Sequence, residues 1–171
     1  PDGPYCSVNC YGTPVTFTTF PAGATISSAS DIAAICINME HTFAGDLSFS
    51  ILCPNGTSVT MDSYDNSGGS DLGISNSTTN DDCDPAANPP GTGWTYCWSE
   101  VYPQQGTMNT LYAGTSPIPA TDTINNTGYI TSENPFSGLI GCPLNGTWSI
   151  VICDEWGIDN GWVFWWSLTL L

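Results

Sequence analysis

Two short acidic runs are the segments of this chain whose residue types and spacing best suit chemistry. Each run places several carboxylates close together: Asp81, Asp82 and Asp84, and then Asp154, Glu155 and Asp159. Carboxylate oxygens are the ligands that Ca²⁺ prefers, so calcium is the expected cofactor at these positions. Neither run has the spacing of an EF-hand loop, and the alternative, a solvated acidic turn, stays open.

The charge balance excludes several classes of function. The chain has 16 acidic residues, no Lys or Arg and a single His, which gives a formal net charge of −16 at pH 7. Binding of nucleic acid, Schiff-base chemistry and arginine fingers all require cationic side chains, so nucleic acid is not an expected partner. Anionic membranes would repel the chain, and no segment approaches the roughly 18 apolar residues of a spanning helix, so no membrane insertion is expected.

His41 is the only histidine and hence the only candidate for the base of a hydrolase triad. Asp46 is close in sequence and serines are numerous, but the chain has no Gly-x-Ser-x-Gly elbow to present a nucleophile. We therefore interpret His41 as a hydrogen-bonded turn residue. The protein is not expected to be an enzyme.

The cysteines predict a disulfide framework, because their number is even and the chain has no CxxC pair, which is the spacing typical of zinc or redox chemistry. The eight positions are Cys6, Cys10, Cys36, Cys53, Cys83, Cys97, Cys142 and Cys153. The predicted pairs are Cys83–Cys97, which would clamp a polar insertion, Cys142–Cys153 and Cys6–Cys10.

Four Asn-x-Ser/Thr triplets predict N-glycosylation, at Asn55, Asn76, Asn125 and Asn145. A chain so rich in Asn, Ser and Thr also produces such triplets by chance. Together with the disulfides they favour an extracellular or cell-surface glycoprotein, and glycans are among the expected partners.

Apolar residues alternate with a period of two rather than 3.6, which predicts strands and minimal helix. Ile35, Ile37 and Met39 share one face, as do Leu47, Phe49 and Ile51. About eight strands are predicted, which is typical of an all-β sandwich or jelly roll. They span 15–20, 35–39, 47–51, 58–62, 95–101, 128–131, 148–153 and 162–170.

The last two predicted strands carry most of the tryptophans, and we expect them to form a hairpin across the loop at 154–161. Alternation places four aromatic residues on their apolar face: Trp148, Trp162, Phe164 and Trp166. Trp165 lies on the opposite face and Trp156 lies in the acidic loop. These two are expected to contact a sugar ring or a neighbouring subunit.

The chain divides into an N-terminal extension, 1–13, and one domain, 14–171, with a polar insertion at about 62–94. The extension lacks apolar alternation. We expect it to reach a neighbouring copy by adding a strand to an exposed sheet edge, with Tyr5 and Tyr11 buried in that contact. The alternative is an ordinary frayed terminus.

Several motifs resemble the core signature of the proprotein-convertase P domain. They are the run EHTFAGDL at 40–47, ILCPNGT at 51–57, and NGTW at 145–148 followed by Asp154, Gly161 and Trp166. The runs CDP at 83–85, GTGWTYCW at 91–98 and GCPLNG at 141–146 resemble P-domain-like modules of secreted surface proteins of Bacteroidetes-type bacteria. The resemblance implies a jelly roll, which in the proteases follows and stabilises a subtilisin-like catalytic domain.

These observations favour a non-catalytic extracellular module that serves structure and assembly, with copies of itself as partners in a fibre or surface layer. The polar insertion and the additional cysteines depart from the convertase pattern. Two alternatives stay open, namely an accessory domain of a secreted subtilisin-like protease and a carbohydrate-binding module.

Overall fold

A computed structural model describes residues 10–65, 70–76, 89–112, 123–157 and 159–171. These residues form nine strands: β1 (Cys10–Phe17), β2 (Ile32–His41), β3 (Leu47–Leu52), β4 (Ser58–Asp62), β5 (Trp94–Trp98), β6 (Gln104–Thr107), β7 (Tyr129–Thr131), β8 (Gly146–Asp154) and β9 (Gly161–Leu170). One short helix, α1 (Met108–Tyr112), and three 3₁₀ turns, Ala29–Asp31, Ala44–Asp46 and Phe136–Leu139, complete the described elements. No described helix is long and apolar enough to cross a membrane.

The strands form two sheets packed face to face. The first sheet has the order β1-β8-β3-β4, and the second has the order β6-β7-β5-β2-β9. All pairs are antiparallel except those that β7 makes with β5 and β6. The predicted all-β sandwich with little helix is confirmed, and its jelly-roll topology stays a prediction.

The core lies between the sheets, where the alternation of the sequence predicts it. The two predicted apolar triplets of β2 and β3 are fully buried: Ile35, Ile37 and Met39, and then Leu47, Phe49 and Ile51. The Phe49 ring lies 5.1 Å from that of Trp98, which is itself fully buried. Burial of apolar surface contributes about 25 cal/mol per Å², so this layer supplies most of the driving force for folding.

All eight predicted strands are present, seven of them with shifted ends, but the predicted hairpin of the last two is wrong. β8 pairs with β1 and β3 in the first sheet, whereas β9 pairs with β2 in the second. Each strand turns its apolar face to the same core from opposite sides. Alternation identifies the buried face of a strand but not its neighbours, which explains the error.

A bulge in β9 changes the face on which two aromatic residues lie. Asn38 pairs with Trp165 and the next residue, Met39, pairs with Val163, so β9 carries one extra residue at Phe164. Val163 packs against the core, and Phe164, predicted to face inward, is 41% exposed. Because a bulge reverses the alternation on one side of it, the period-two pattern could not place Phe164 and Trp162 correctly.

Three disulfides staple the sheets: Cys10–Cys153, Cys36–Cys97 and Cys53–Cys142. Disulfide bonding is thus confirmed for six cysteines, while Cys6 and Cys83 lie outside the described residues. All three predicted pairings are wrong, because Cys97, Cys10, Cys142 and Cys153 bond elsewhere. The first two bonds join directly opposed strand residues, a relation set by register rather than by distance along the chain.

The N-terminal boundary also differs from the prediction at 13/14. β1 starts at Cys10, and Tyr11 lies opposite Ile152 of β8 and packs against the domain's own core. Residues 10–13 therefore belong to the first sheet, and Tyr11 is not available as a contact from an arm. Tyr5 lies outside the described residues.

Candidate functional site

A buried acid–histidine cluster joins the two sheets where β2 and β8 end. His41 Nε2 lies 3.2 Å from Asp154 Oδ2, and both side chains are fully buried. His41 Nδ1 lies 3.1 Å from both the amide nitrogen and the carbonyl oxygen of Phe43. Nδ1 therefore accepts a hydrogen bond from that N–H when it carries no proton and donates one to the carbonyl when it carries one.

A second carboxyl pair lies beside this contact. Asp46, in the turn before β3, and Asp159, in the loop before β9, are both buried and share a hydrogen bond between their side chains. Thr42 Oγ1 donates to Asp159 Oδ1 at 3.0 Å. Burial, reinforced by the charges of Asp159 and Asp154, raises the pKa of Asp46 to about 7. Asp46 thus keeps its proton into the neutral range and can donate it to Asp159.

Gly161 allows β9 to start against this cluster. A Cβ atom at this position would lie 2.2 Å from His41 Cδ2 and 2.5 Å from the carbonyl oxygen of Glu40. Any side chain there would displace the histidine ring, so only glycine fits the close approach of the two strands.

The acidic run predicted to bind calcium at 154–159 divides between two environments. Asp154 is held by His41 and by the amide of Trp156, whose nitrogen lies 3.1 Å from Asp154 Oδ1. Glu155 points outward, and Ser48 Oγ donates to it at 3.0 Å. Within the described ranges no three His, Cys, Asp or Glu side chains are grouped to hold a metal ion. Asp81, Asp82 and Asp84 lie outside those ranges, and calcium stays a prediction.

Sequence reasoning did not assign Asp46 to this cluster. The sequence feature that could have identified Asp46 is its position between apolar neighbours, Ala44 and Leu47, which are both fully buried. A carboxylate inside an apolar segment has to find a partner or keep its proton, because an isolated buried charge is too costly.

The outer strand of the second sheet, β9, presents exposed aromatic side chains. Phe164 is 41% exposed and Trp165 is 46% exposed, and the nearby loop residue Trp156 is also 46% exposed. The prediction that Trp165 and Trp156 are hard to bury agrees with these values. We call the unpaired side of β9, with Phe164 and Trp165, the β9 edge.

The four sheet edges differ in how they are protected. β1 carries Pro14 within the strand, β4 has five residues and ends in Asp62, and β6 has four residues. β9 has ten residues with neither proline nor charge, and in the described part of the chain it pairs only with β2. Short strands, prolines and charges are the usual protection of an edge, so the β9 edge is the least protected.

Three of the four predicted glycosylation sites are exposed: Asn55, Asn76 and Asn125. Asn145 is half-buried, and its amide bonds both backbone groups of Phe20, donating to the carbonyl oxygen at 2.8 Å and accepting from the N–H at 3.0 Å. A glycan on Asn145 would disrupt this pair. Asn145 therefore has a structural role in holding the segment after β1.

The motifs that carry the resemblance to the P domain meet in the acid–histidine cluster. His41 and Asp46 come from the first motif, and Asp154 and Gly161 come from the last one. Their contact gives a physical reason for their co-occurrence, because each fills part of one buried junction between the sheets. Membership of that family stays a proposal, since no family model, no curated protein and no solved structure matches the chain.

Proposed function

We propose that this protein is a non-catalytic, secreted structural module that assembles with further copies of itself through the β9 edge. The observation that carries the proposal is the combination at that edge of length, neutrality and exposed aromatic rings. An extended segment from a second copy can pair with the backbone of such a strand while its side chains cover Phe164 and Trp165. The three disulfides support an oxidising, extracellular-type setting.

The net negative charge of the chain also favours the β9 edge as the contact surface between copies. Two copies of a chain with a net charge of −16 repel each other, and no Lys or Arg is present to form an ionic contact between them. Copies can therefore approach most closely where no carboxylate lies, and β9 has none along its ten residues. Backbone hydrogen bonds and aromatic burial then provide attraction without a cation.

The geometry of pairing decides what is assembled. Two β9 strands that pair with each other give a closed dimer, whereas β9 pairing with a different segment gives a head-to-tail contact that propagates. For a fibre or surface layer we propose residues 1–9 of the predicted extension as that segment, because residues 10–13 already pair with β8 of the same chain. Tyr5 would supply the aromatic contact predicted for the extension.

The test is a pair of matched substitutions at exposed strand positions. Trp165→Glu adds a charge and removes an aromatic ring at the β9 edge, and Leu52→Glu adds the same charge at a position 37% exposed on β3. We expect the wild type and Leu52→Glu to form dimers or longer assemblies in light scattering and negative-stain microscopy, and Trp165→Glu to remain monomeric. A monomeric wild type at high concentration, or equal assembly by both variants, would refute the proposal.

A carbohydrate-binding module is the second candidate, favoured by the exposure of Trp156 and Trp165. Exposed tryptophan rings can stack on sugar rings as well as on protein. A saturable change in tryptophan fluorescence with a glycan, lost in Trp165→Glu and retained in Leu52→Glu, would favour sugar binding over assembly. A wild type that is monomeric and does not respond to glycans would favour an accessory domain of a protease.

A further inference from the structure

A cavity lined by acidic residues lies at the end of β4, away from the acid–histidine cluster. Its volume is about 190 Å³. It is lined by residues from both sheets and their connections: Asp62, Ser63, Asp65, Thr107, Asn109 and Glu133. Three of these side chains are carboxylates, and the other three supply hydroxyl and amide groups. We call this cavity the β4 pocket.

A bulge directs Asp62 into this pocket. Asp62 pairs with Phe49 while Thr60 pairs with the next residue, Ser50, so the strand carries one extra residue at Met61. Asp62 consequently lies on the inner face of its sheet and is only 3% exposed. Bulges often occur where a strand aims one side chain at a functional site.

One oxygen of this buried carboxylate has no partner. Asp62 Oδ2 is inaccessible to solvent and accepts no hydrogen bond from the described residues. The neighbouring carboxylates are already engaged, because Glu133 Oε2 accepts from the amide and hydroxyl of Ser63, and Asp65 accepts from Asn109. A buried carboxylate oxygen without a donor requires either a proton or a bound cation.

The chain supplies no Lys, Arg or His side chain to this pocket. It contains no Lys or Arg, and its single histidine is bonded to Asp154 in the other cluster. The three carboxylates repel one another, and the charges of Glu133 and Asp65 add to the cost that burial imposes on an ionised Asp62. No basic side chain of the protein therefore compensates an ionised Asp62.

We propose that the β4 pocket binds one hydrated divalent cation, with Asp62 as the direct carboxylate ligand. Asp65 and Glu133 act on the ion through its water shell, which agrees with the lack of a three-carboxylate cage among the described residues. A cavity of 190 Å³ accommodates an ion with several waters, since each water occupies about 30 Å³ in the liquid. Calcium suits this mixed set of carboxylate, hydroxyl, amide and water oxygens best.

Such an ion would join the two sheets. On one side of the pocket, Asp62 is the last residue of β4 in the first sheet and Asp65 comes shortly after it. The other side is formed by residues of the second sheet and its connections: Thr107, Asn109 and Glu133. Glu133 already donates its amide to the carbonyl oxygen of Met61 at 2.8 Å, so the two sides are close before any ion binds. Binding to the folded state alone raises the stability of the domain.

Asp62→Asn tests the proposal, because asparagine keeps the shape of the side chain and removes its charge. Asp31→Asn is the matched control, since it makes the same change at a carboxylate that lies in neither acidic run and does not line the pocket. The protein is the full chain, and the probe is CaCl₂ at about 1 mM against NaCl of equal ionic strength, at pH 8. Thermal melting and isothermal titration calorimetry are the readouts.

We expect calcium to raise the Tm of the wild type and of Asp31→Asn by about 5 °C. Asp62→Asn should melt higher than the wild type without calcium, because a neutral group replaces a buried charge, and its calcium response should be smaller. Calorimetry should count one calcium site fewer in Asp62→Asn than in Asp31→Asn. Equal stoichiometry in both variants, or no response of the wild type, would show that the pocket binds no ion and that Asp62 is held neutral by a proton.

Discussion

The acid–histidine cluster and the β4 pocket both place carboxylates between the two sheets, but they compensate the charge differently. In the cluster, His41 contacts Asp154, and Thr42 and the protonated Asp46 donate to Asp159. In the β4 pocket, Asp62 Oδ2 accepts no hydrogen bond from the described residues, and burial, followed by the charges of Glu133 and Asp65, raises the pKa of Asp62 to about 8. The first region is complete as a protein structure, whereas the second requires a proton or a cation.

The difference shows how a chain without Lys or Arg can bury acids. His41 contacts one carboxylate, Asp154, and the Thr42 hydroxyl and the Asp46 carboxyl proton both donate to a second one, Asp159. The chain has no Lys, no Arg and no second His for a second region. Acidic residues beyond the reach of His41 must therefore lie at the surface, keep their protons or recruit ions from solvent.

The largest expected effect comes from breaking the cluster. Asp154→Ala removes the partner of His41 Nε2 and leaves a fully buried ring nitrogen with no acceptor. We expect a loss of about 3 kcal/mol in the free energy of unfolding, measured by urea denaturation. Asp154→Asn keeps an acceptor oxygen and should lose less than half as much. Equal losses in the two variants would mean that the contact with His41 contributes little.

A smaller effect on the stability of the fold is expected when the pH is changed. Asp46 has a raised pKa, about 7 against an ordinary 3.8, so between these values the folded state holds a proton that the unfolded state has released. Stability from this group is therefore greatest below about pH 4 and falls as the pH rises through 7. The Tm at pH 5 should exceed the Tm at pH 8.

Asp46→Asn sharpens this prediction, because its amide can donate to Asp159 at any pH. The variant should gain about 2 kcal/mol over the wild type at pH 8 and little at pH 5, in urea unfolding at both values. Asp31→Asn is the control, since hydrogen bonds from Ser27 and Ser28 lower the pKa of this exposed carboxyl and place its titration below this range. A gain that is the same at both pH values would contradict the assignment.

The smallest expected effect lies in the β4 pocket without calcium. Glu133→Gln removes one repelling charge near Asp62 and keeps an oxygen that can accept from Ser63. In a chelating buffer at pH 8 we expect a gain of about 0.5 kcal/mol in the free energy of unfolding, measured by urea denaturation. A loss of stability would show that the bond to Ser63 outweighs the repulsion.

The sequence predicted the buried faces of the strands well, because alternation depends on each strand alone. Ile35, Ile37 and Met39 face the core as their spacing indicates, and 58–62 was predicted with the observed ends. Strand β6 was missed, since its residues QQGT have no apolar alternation and its place depends on pairing with β7.

Features that depend on long-range register could not be predicted. The pairing of Cys10 with Cys153 follows from the alignment of β1 with β8, and no local signal encodes that alignment. The bulges at Phe164 and Met61 are likewise set by the neighbouring strands. The β9 edge and the β4 pocket both depend on these bulges. Phe164 and Asp62 were therefore not recognised as site residues from sequence.

The Cys10–Cys153 bond also has a mechanical consequence. It joins residues 143 positions apart along the chain, at the start of β1 and near the end of β8. Consider a force applied between the residue before Cys10 and the end of β9. The disulfide would transmit this force to the loop at 154–160, and the loop would transmit it to β9. The enclosed residues, which could extend by about 500 Å if they were free, would carry no load. Under tension the domain would therefore behave as a short, nearly inextensible link whose compliance resides in β9 and the loop before it.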